Sequence, residues 1–329
     1  MRALHIRDFD SRAVERNTKE ALQLEVTSTP GGMPIRQTVL VIGGAEPGPV
    51  LLVSGGVHGD EYEGPLTITR LFHELQPADI KGTFVGLVVT NVPAFEAATR
   101  CSPIDGLNLA RVFPGDVNGS VTMQIAHWMG EQLIGKADFY IDLHSSGSDM
   151  EMVQLAGYTL GDGPVAETRR RMAEAFRAQV TWAHTDQAAG RTLSYAMEHD
   201  IPAIYTECPA SRRVSIPDVE VYQRGVRNVL RELGMLDGEL EGEPSPYYFC
   251  GVGNTDTALP VSRSGYFIPA VELLEWVEAN DLLGAVYDLA GNVLEEIRAP
   301  SAGYVGLRQL LPTINAGDTV FMLAERFEA

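Results

Sequence analysis

Cysteine, lysine and long apolar runs are all scarce in this chain, and each shortage removes a class of protein. The three cysteines, Cys101, Cys208 and Cys250, are too few and too scattered for a disulfide framework or a thiolate metal site. A reducing cytoplasm is therefore the expected location. No apolar stretch approaches the roughly 18 residues that a membrane span needs. The first residues, Met1 to Asp8, lack the apolar core of a secretion signal. Basic side chains number 25 against 44 acidic ones, a formal net charge of −19. That balance opposes nucleic acid or an anionic membrane surface as a partner. Lys19, Lys81 and Lys136 are the only lysines, so the cationic chemistry of the chain falls to arginine.

What is present is enough for a large core. At 329 residues and 45% hydrophobic content, the chain suits one big domain or two unequal ones. A polar leader precedes two strand-like runs, Leu22 to Val26 and Gln37 to Ile42, joined by the turn Pro30-Gly31-Gly32. Apolar strands are predicted at Val50 to Val53, Thr83 to Thr90, Ala137 to Leu143 and Pro202 to Thr206. Helical spacing covers Leu66 to Leu75, Val121 to Ile134, 164–179, Thr192 to His199 and Val219 to Leu233. Strands alternating with helices imply an α/β sheet covered on both faces. The pattern changes after residue 236: 237–246 is acidic, contains Gly and Pro, and reads as a linker. Short β-like runs follow at close spacing from Tyr247 to Leu323, predicting a small β-barrel or sandwich over 247–329.

The densest chemistry follows the strand Val50 to Val53, where Gly55-Gly56-Val57-His58-Gly59-Asp60-Glu61 leads into a helix. An imidazole and a carboxylate three residues apart at a strand end suit a divalent zinc-like metal, or are a chance pair. A third ligand is offered by His144, which ends the strand Ala137 to Leu143 and is followed by Ser145-Ser146-Gly147. Asp142 lies two residues earlier on the same strand face, where it could orient that imidazole. Alone, His144 is as readily a core-edge residue bonded to backbone; together, the two segments favour a metal with one open position. A metal there would activate water, and Glu207, at the end of the strand Ile204 to Thr206, is the candidate base. Cys208 reads as a small buried thiol. In the loop after Thr90, Arg100, Asn108 and Arg111 could bind a carboxylate or an oxyanion. The alternative is that Arg100 and Arg111 pair with Asp105 and Asp116 to hold the loop.

Gly55 to Pro65, Asn91 to Gly115, Tyr140 to Gly147 and Tyr205 to Pro209 together resemble the succinylglutamate desuccinylase/aspartoacylase family, relatives of the zinc carboxypeptidases that hydrolyse N-acyl amino acids. The resemblance spans roughly residues 20–230, with the motifs in the family's order. It implies a zinc-carboxypeptidase-like α/β/α domain with a mixed central sheet over 1–236. It also implies one zinc ion per chain on His58, Glu61 and His144, with Glu207 as base and proton shuttle. Arg111 would bind the carboxylate of a small anionic N-acyl amino acid, and Arg100 would stabilise the oxyanion. The family carries Asn directly before the residue matching Arg111, whereas this chain has Ala110, with Asn108 the nearer amide. The C-terminal part resembles a lipoyl-like barrel, yet no lysine follows Lys136, so it carries no lipoyl or biotin group. It would shape the mouth of the site or a homo-oligomer contact. The expected activity is amide hydrolysis; a metallo-esterase, a metallocarboxypeptidase and a non-catalytic metal-binding protein are the alternatives.

Overall fold

A computed structural model of the chain describes residues 1–209 and 212–327. In chain order the N-terminal strands are β1 (Arg2–His5), β2 (Thr18–Ser28), β3 (Pro34–Gly43) and β4 (Glu46–Gly55). Then come α1 (Glu63–Glu74), β5 (Lys81–Leu87), α2 (Val92–Ala97), α3 (Val121–Gln132) and β6 (Phe139–Leu143). The middle of the chain supplies β7 (Met150–Met152), β8 (Leu155–Thr159), α4 (Gly163–Phe176) and β9 (Val180–His184). It continues through α5 (Thr192–Glu198), β10 (Ala203–Glu207) and α6 (Ile216–Glu232).

These strands form one mixed sheet, ordered β1-β2-β3-β5-β4-β6-β10-β8-β9. At its centre β5, β4, β6 and β10 run parallel. The alternation of side chains along these strands splits the core into two faces. Leu51 and Val53 of β4, Ile141 and Leu143 of β6, and Ile204 of β10 pack under α1, α4 and α6. Leu52, Tyr140 and Ala203 point the other way, against Ile125 and Met129 of α3 and Leu193 and Ala196 of α5. The α/β class expected from the sequence is what the chain adopts.

The C-terminal strands are β11 (Tyr247–Gly251), β12 (Leu259–Pro260), β13 (Gly265–Pro269), β14 (Trp276–Val277), β15 (Leu282–Tyr287), β16 (Val293–Arg298), β17 (Gly303–Gln309), β18 (Thr313–Ile314) and β19 (Thr319–Arg326). A four-stranded antiparallel sheet, β16-β15-β13-β18, encloses a core of Phe267, Leu283, Val305 and Phe321 with β17 and β19. The large sheet runs on into this region, because β11 pairs parallel to β9 and β19 pairs antiparallel to β11. A second apolar cluster, with Trp182, Phe249, Leu307 and Met322, fills that junction. Residues 237–246 are fastened to β5 by Lys81 Nζ to Asp237 (2.7 Å), and to α6 by Arg231 to Glu241 (2.6 Å) and Glu241 N–H to Asn228 Oδ1 (2.8 Å).

Several elements departed from expectation. The polar leader contains β1, an edge strand paired parallel to β2 with Arg2 opposite Leu22; its own side chains are half exposed, so it carries no apolar signal. β8 and β9 were not anticipated: β8 is Leu-Ala-Gly-Tyr-Thr, buried throughout, with no alternation to read. Among the described residues, no helix is long and apolar enough to cross a membrane.

Candidate active site

Strand register explains how distant residues meet. Gly55 of β4 lies opposite Leu143 of β6, and Leu143 opposite Thr206 of β10. The loop carrying His58 and Glu61, the residue His144 and the residue Glu207 therefore emerge at the same edge of three adjacent parallel strands, where α/β sheets build their sites. The loop after β4 needs its glycines. Gly56 adopts φ +62°, and a Cβ on Gly59 would stand 2.0 Å from the Ala94 carbonyl carbon at α2.

His58, Glu61 and His144 are buried and present ligand atoms within 4.8 Å of one another, close enough to hold a metal ion. His58 Nδ1 lies 2.7 Å from Glu61 Oε1, and His144 Nδ1 lies 2.9 Å from Glu61 Oε2. The far nitrogens are also anchored: His144 Nε2 stands 3.1 Å from Asp142 Oδ2, and His58 Nε2 stands 3.1 Å from Asn108 Oδ1. Asp142 in turn accepts hydrogen bonds from Ser54 (2.7 Å) and Thr192 (2.6 Å). Imidazoles fixed from behind by a carboxylate or an amide are typical of metal ligands.

The electrostatics move the three groups in different directions. Burial would lower the His144 imidazole, but the Asp142 and Glu61 carboxylates hold it well above its ordinary value. Burial would likewise raise Glu61, yet the two histidines keep it below the ordinary carboxylate range. His58 is pushed down by burial and by the charge of Arg100.

Above this group opens a cleft of about 470 Å³, lined by His58, Arg100, Asn108, Arg111, His144 and Glu207, among others. The Glu207 carboxyl is pushed up to about 8, chiefly by burial and then by the Glu61 charge. Its Oε2 is buried without a hydrogen-bond partner, an arrangement that raises proton affinity and that structural carboxylates avoid. Beside it, Tyr205 donates toward or accepts from His184 Nε2 at 2.9 Å, and burial drives His184 down to about 4, keeping it neutral. Cys208 is fully buried, and burial raises its thiol, which opposes thiolate chemistry.

The fold gathers all eight candidate side chains at one edge of the sheet, but not all in the contacts expected. Arg100 donates to Glu61 Oε1 at 3.2 Å. Asn108 is turned onto His58 and also accepts from the Ala110 amide at 2.9 Å. Arg111 grips Asp256 with two hydrogen bonds, Nε at 2.9 Å and Nη2 at 2.8 Å. Neither arginine pairs with Asp105 or Asp116, the loop-holding alternative. Asp105 instead accepts from Ser120 and Thr122 at the start of α3, and Asp116 from the Asn118 amide. Arg191 also lines the cleft, whereas Arg212 donates to the Ala98 carbonyl. His184 and Asp256 carried no sequence signal: each reaches the cleft only through pairing of distant segments.

A mixed α/β sheet with a buried His–Glu–His group at parallel strand ends, under an arginine-lined cleft, defines an α/β protein able to hold one metal ion in the floor of a pocket. The chain belongs to the succinylglutamate desuccinylase/aspartoacylase family: the model of that family's catalytic domain matches residues 47–233. It is 30% identical over 328 residues to the N-alpha-acetyl-L-2,4-diaminobutyric acid deacetylase of Halomonas elongata, covering 98% of this chain and 94% of that enzyme. Its fold is similar to the product-bound ectoine utilization protein EutE (DoeB) of Ruegeria pomeroyi, with TM-score 0.86, 29% identity, and coverage of 94% and 96% of the two chains. It is also similar to a succinylglutamate desuccinylase/aspartoacylase from Rhodobacter sphaeroides, with TM-score 0.87, 25% identity, and coverage of 97% and 100%.

Proposed function

We propose that this protein is a zinc-dependent hydrolase that removes the acyl group from a small N-acyl amino acid, with the carboxypeptidase-like layout of its family. The observation that carries this reading is the half-buried Glu207 carboxyl, its Oε2 inaccessible and unpartnered, opening onto the same cleft as the His58–Glu61–His144 group. A scaffold or a sensor would have no use for a high-affinity proton acceptor beside a metal group.

Two buried imidazoles anchored from behind and one carboxylate, their ligand atoms within 4.8 Å of one another, fit one zinc ion per chain, held by His58, Glu61 and His144. When bound, zinc would polarise the acyl carbonyl and lower the pKa of water toward about 7. The chain's own groups supply the rest. Glu207 takes the proton of the attacking water on its carboxyl oxygen and hands it to the leaving amine nitrogen. Arg100, beside the metal group, offers its charge to the oxyanion that develops on the acyl oxygen. Asp142 and Asn108 hold the two imidazoles in orientation by accepting from their far nitrogens.

Arg111, seconded by Arg191, binds the substrate carboxylate. With Ala110 at the family's Asn position and the Asn108 carbonyl oxygen turned onto His58, the two arginines carry carboxylate recognition. The Halomonas relative makes an N-acetylated diamino acid the first substrate to try. Amine release is expected from N-acyl amino acids and much less from the same compounds as carboxamides. Arg111→Ala should raise KM for the carboxylates by about ten- to a hundredfold and leave the carboxamides nearly unchanged. Equal losses on both would make Arg111 a structural arginine. Turnover confined to peptides or aryl esters would favour the carboxypeptidase or esterase alternative.

A further inference from the structure

The clamp that the proposed function assigns to the substrate carboxylate already holds a carboxylate. Asp256 lies on the segment between β11 and β12, more than a hundred residues from the loop it meets. Its two oxygens take the Nε and Nη2 edge of Arg111, and Oδ2 also accepts from Arg191 Nη2 at 3.1 Å. That edge is the one a guanidinium uses for two-point recognition of a carboxylate. The other terminal nitrogen, Nη1, is spent on the Ala110 carbonyl at 3.1 Å.

Three further features say that this contact can exchange. The Asp256 side chain is 52% exposed, whereas Arg111 and Arg191 are 28% and 19% exposed, so the arginines sit deeper and the carboxylate sits at the rim. The rim position leaves the Asp256 carboxylate open to solvent and to exchange with a dissolved carboxylate. Two guanidinium groups face one carboxylate, so the triad keeps a net positive charge that attracts a second anion. The Asp256 carboxyl is held below its ordinary range, first by the Arg111 hydrogen bond, and stays ionised as a competitor.

We propose that Asp256 is a tethered carboxylate that occupies the substrate-carboxylate clamp of the unliganded chain and yields it to the carboxylate of an arriving N-acyl amino acid. The inference rests on the reading of Arg111 as the substrate-carboxylate group. Asp256 thereby sets affinity without touching the reacting bond. It also screens the clamp from small anions that lack the contacts to displace it. A ligand that binds only the open clamp is weakened by the fraction of chains in which the clamp is open.

The test is calorimetric binding of N-acetylglycine, with N-acetylglycinamide as the uncharged control, on a Glu207→Gln background that stops turnover. Adding Asp256→Asn should tighten N-acetylglycine binding about fivefold and leave the carboxamide unchanged. Asp186→Asn, which removes a charge from the same cleft without touching either arginine, should not reproduce the gain. Unchanged or weaker N-acetylglycine binding in Asp256→Asn overturns the proposal, as does an equal gain from Asp186→Asn. Because the readout is binding, it separates the two claims: tighter binding in a chain whose wild type hydrolyses no N-acyl amino acid would retain the tether and discard the deacylase reading.

Discussion

Glu207→Gln is expected to lower kcat for N-acyl amino acid hydrolysis by about a thousandfold while leaving metal content and substrate KM nearly unchanged. The argument is local. The Gln side chain has the same shape and fills the same space at the end of β10, but its amide accepts no proton from water and delivers none to an amine. The group replaced is a half-buried carboxyl whose Oε2 is inaccessible and unpartnered and whose value is pushed up to about 8, so no hydrogen bond is lost at that oxygen. Stability should therefore hold or rise slightly at neutral pH, since an amide need not take up the proton that a carboxyl raised to about 8 binds on folding. Steady-state kinetics beside metal analysis of the same preparation decide the matter. Turnover within about tenfold of the wild type would remove Glu207 from the proton path.

The second large effect is expected from His144→Ala, which should abolish stoichiometric zinc binding and activity together. His144 also has a structural duty. Its ring lies between two carboxylates, Glu61 at 2.9 Å and Asp142 at 3.1 Å, both buried. Deleting it leaves two buried negative charges without their shared partner, a loss on the order of 3–5 kcal/mol. The variant should thus unfold at lower denaturant concentration and, where still folded, bind no zinc at the site. Full zinc occupancy in folded His144→Ala would refute its assignment as a ligand, however unstable the protein became.

These effects cluster on residues that the sequence marks well, and there is a physical reason. The central strands are buried on both faces, so β4, β6 and β10 appear as dense apolar runs whose ends are sharply defined. A polar residue at such an end, His144 or Glu207, stands out against the mostly apolar run before it. The glycines around His58 are equally visible, since Gly59 must lie against the α2 backbone. What could not be read is whatever depends on pairing between distant segments. β8 and β9 join the sheet through residues without periodicity. The meeting of Arg111 with Asp256 bridges two loops that share no local pattern. Arg100 and Arg111 were legible as candidates, and both line the cleft, but their partners were not: a guanidinium can satisfy itself on many carboxylates, and which one is near is a property of the tertiary fold. Asn108 illustrates the same limit, because only the folded loop turns its carbonyl oxygen toward His58.

The deacylase reading and the metal group stand or fall together on one titration. Protein stripped of metal should release no amine from N-acetyl amino acids, and adding zinc should restore release in a straight line that breaks at one equivalent per chain. Undiminished hydrolysis in the stripped protein, or zinc binding at one equivalent with no hydrolysis of any N-acyl amino acid, would contradict the assignment of His58, Glu61, His144 and Glu207 to a metal-assisted deacylase.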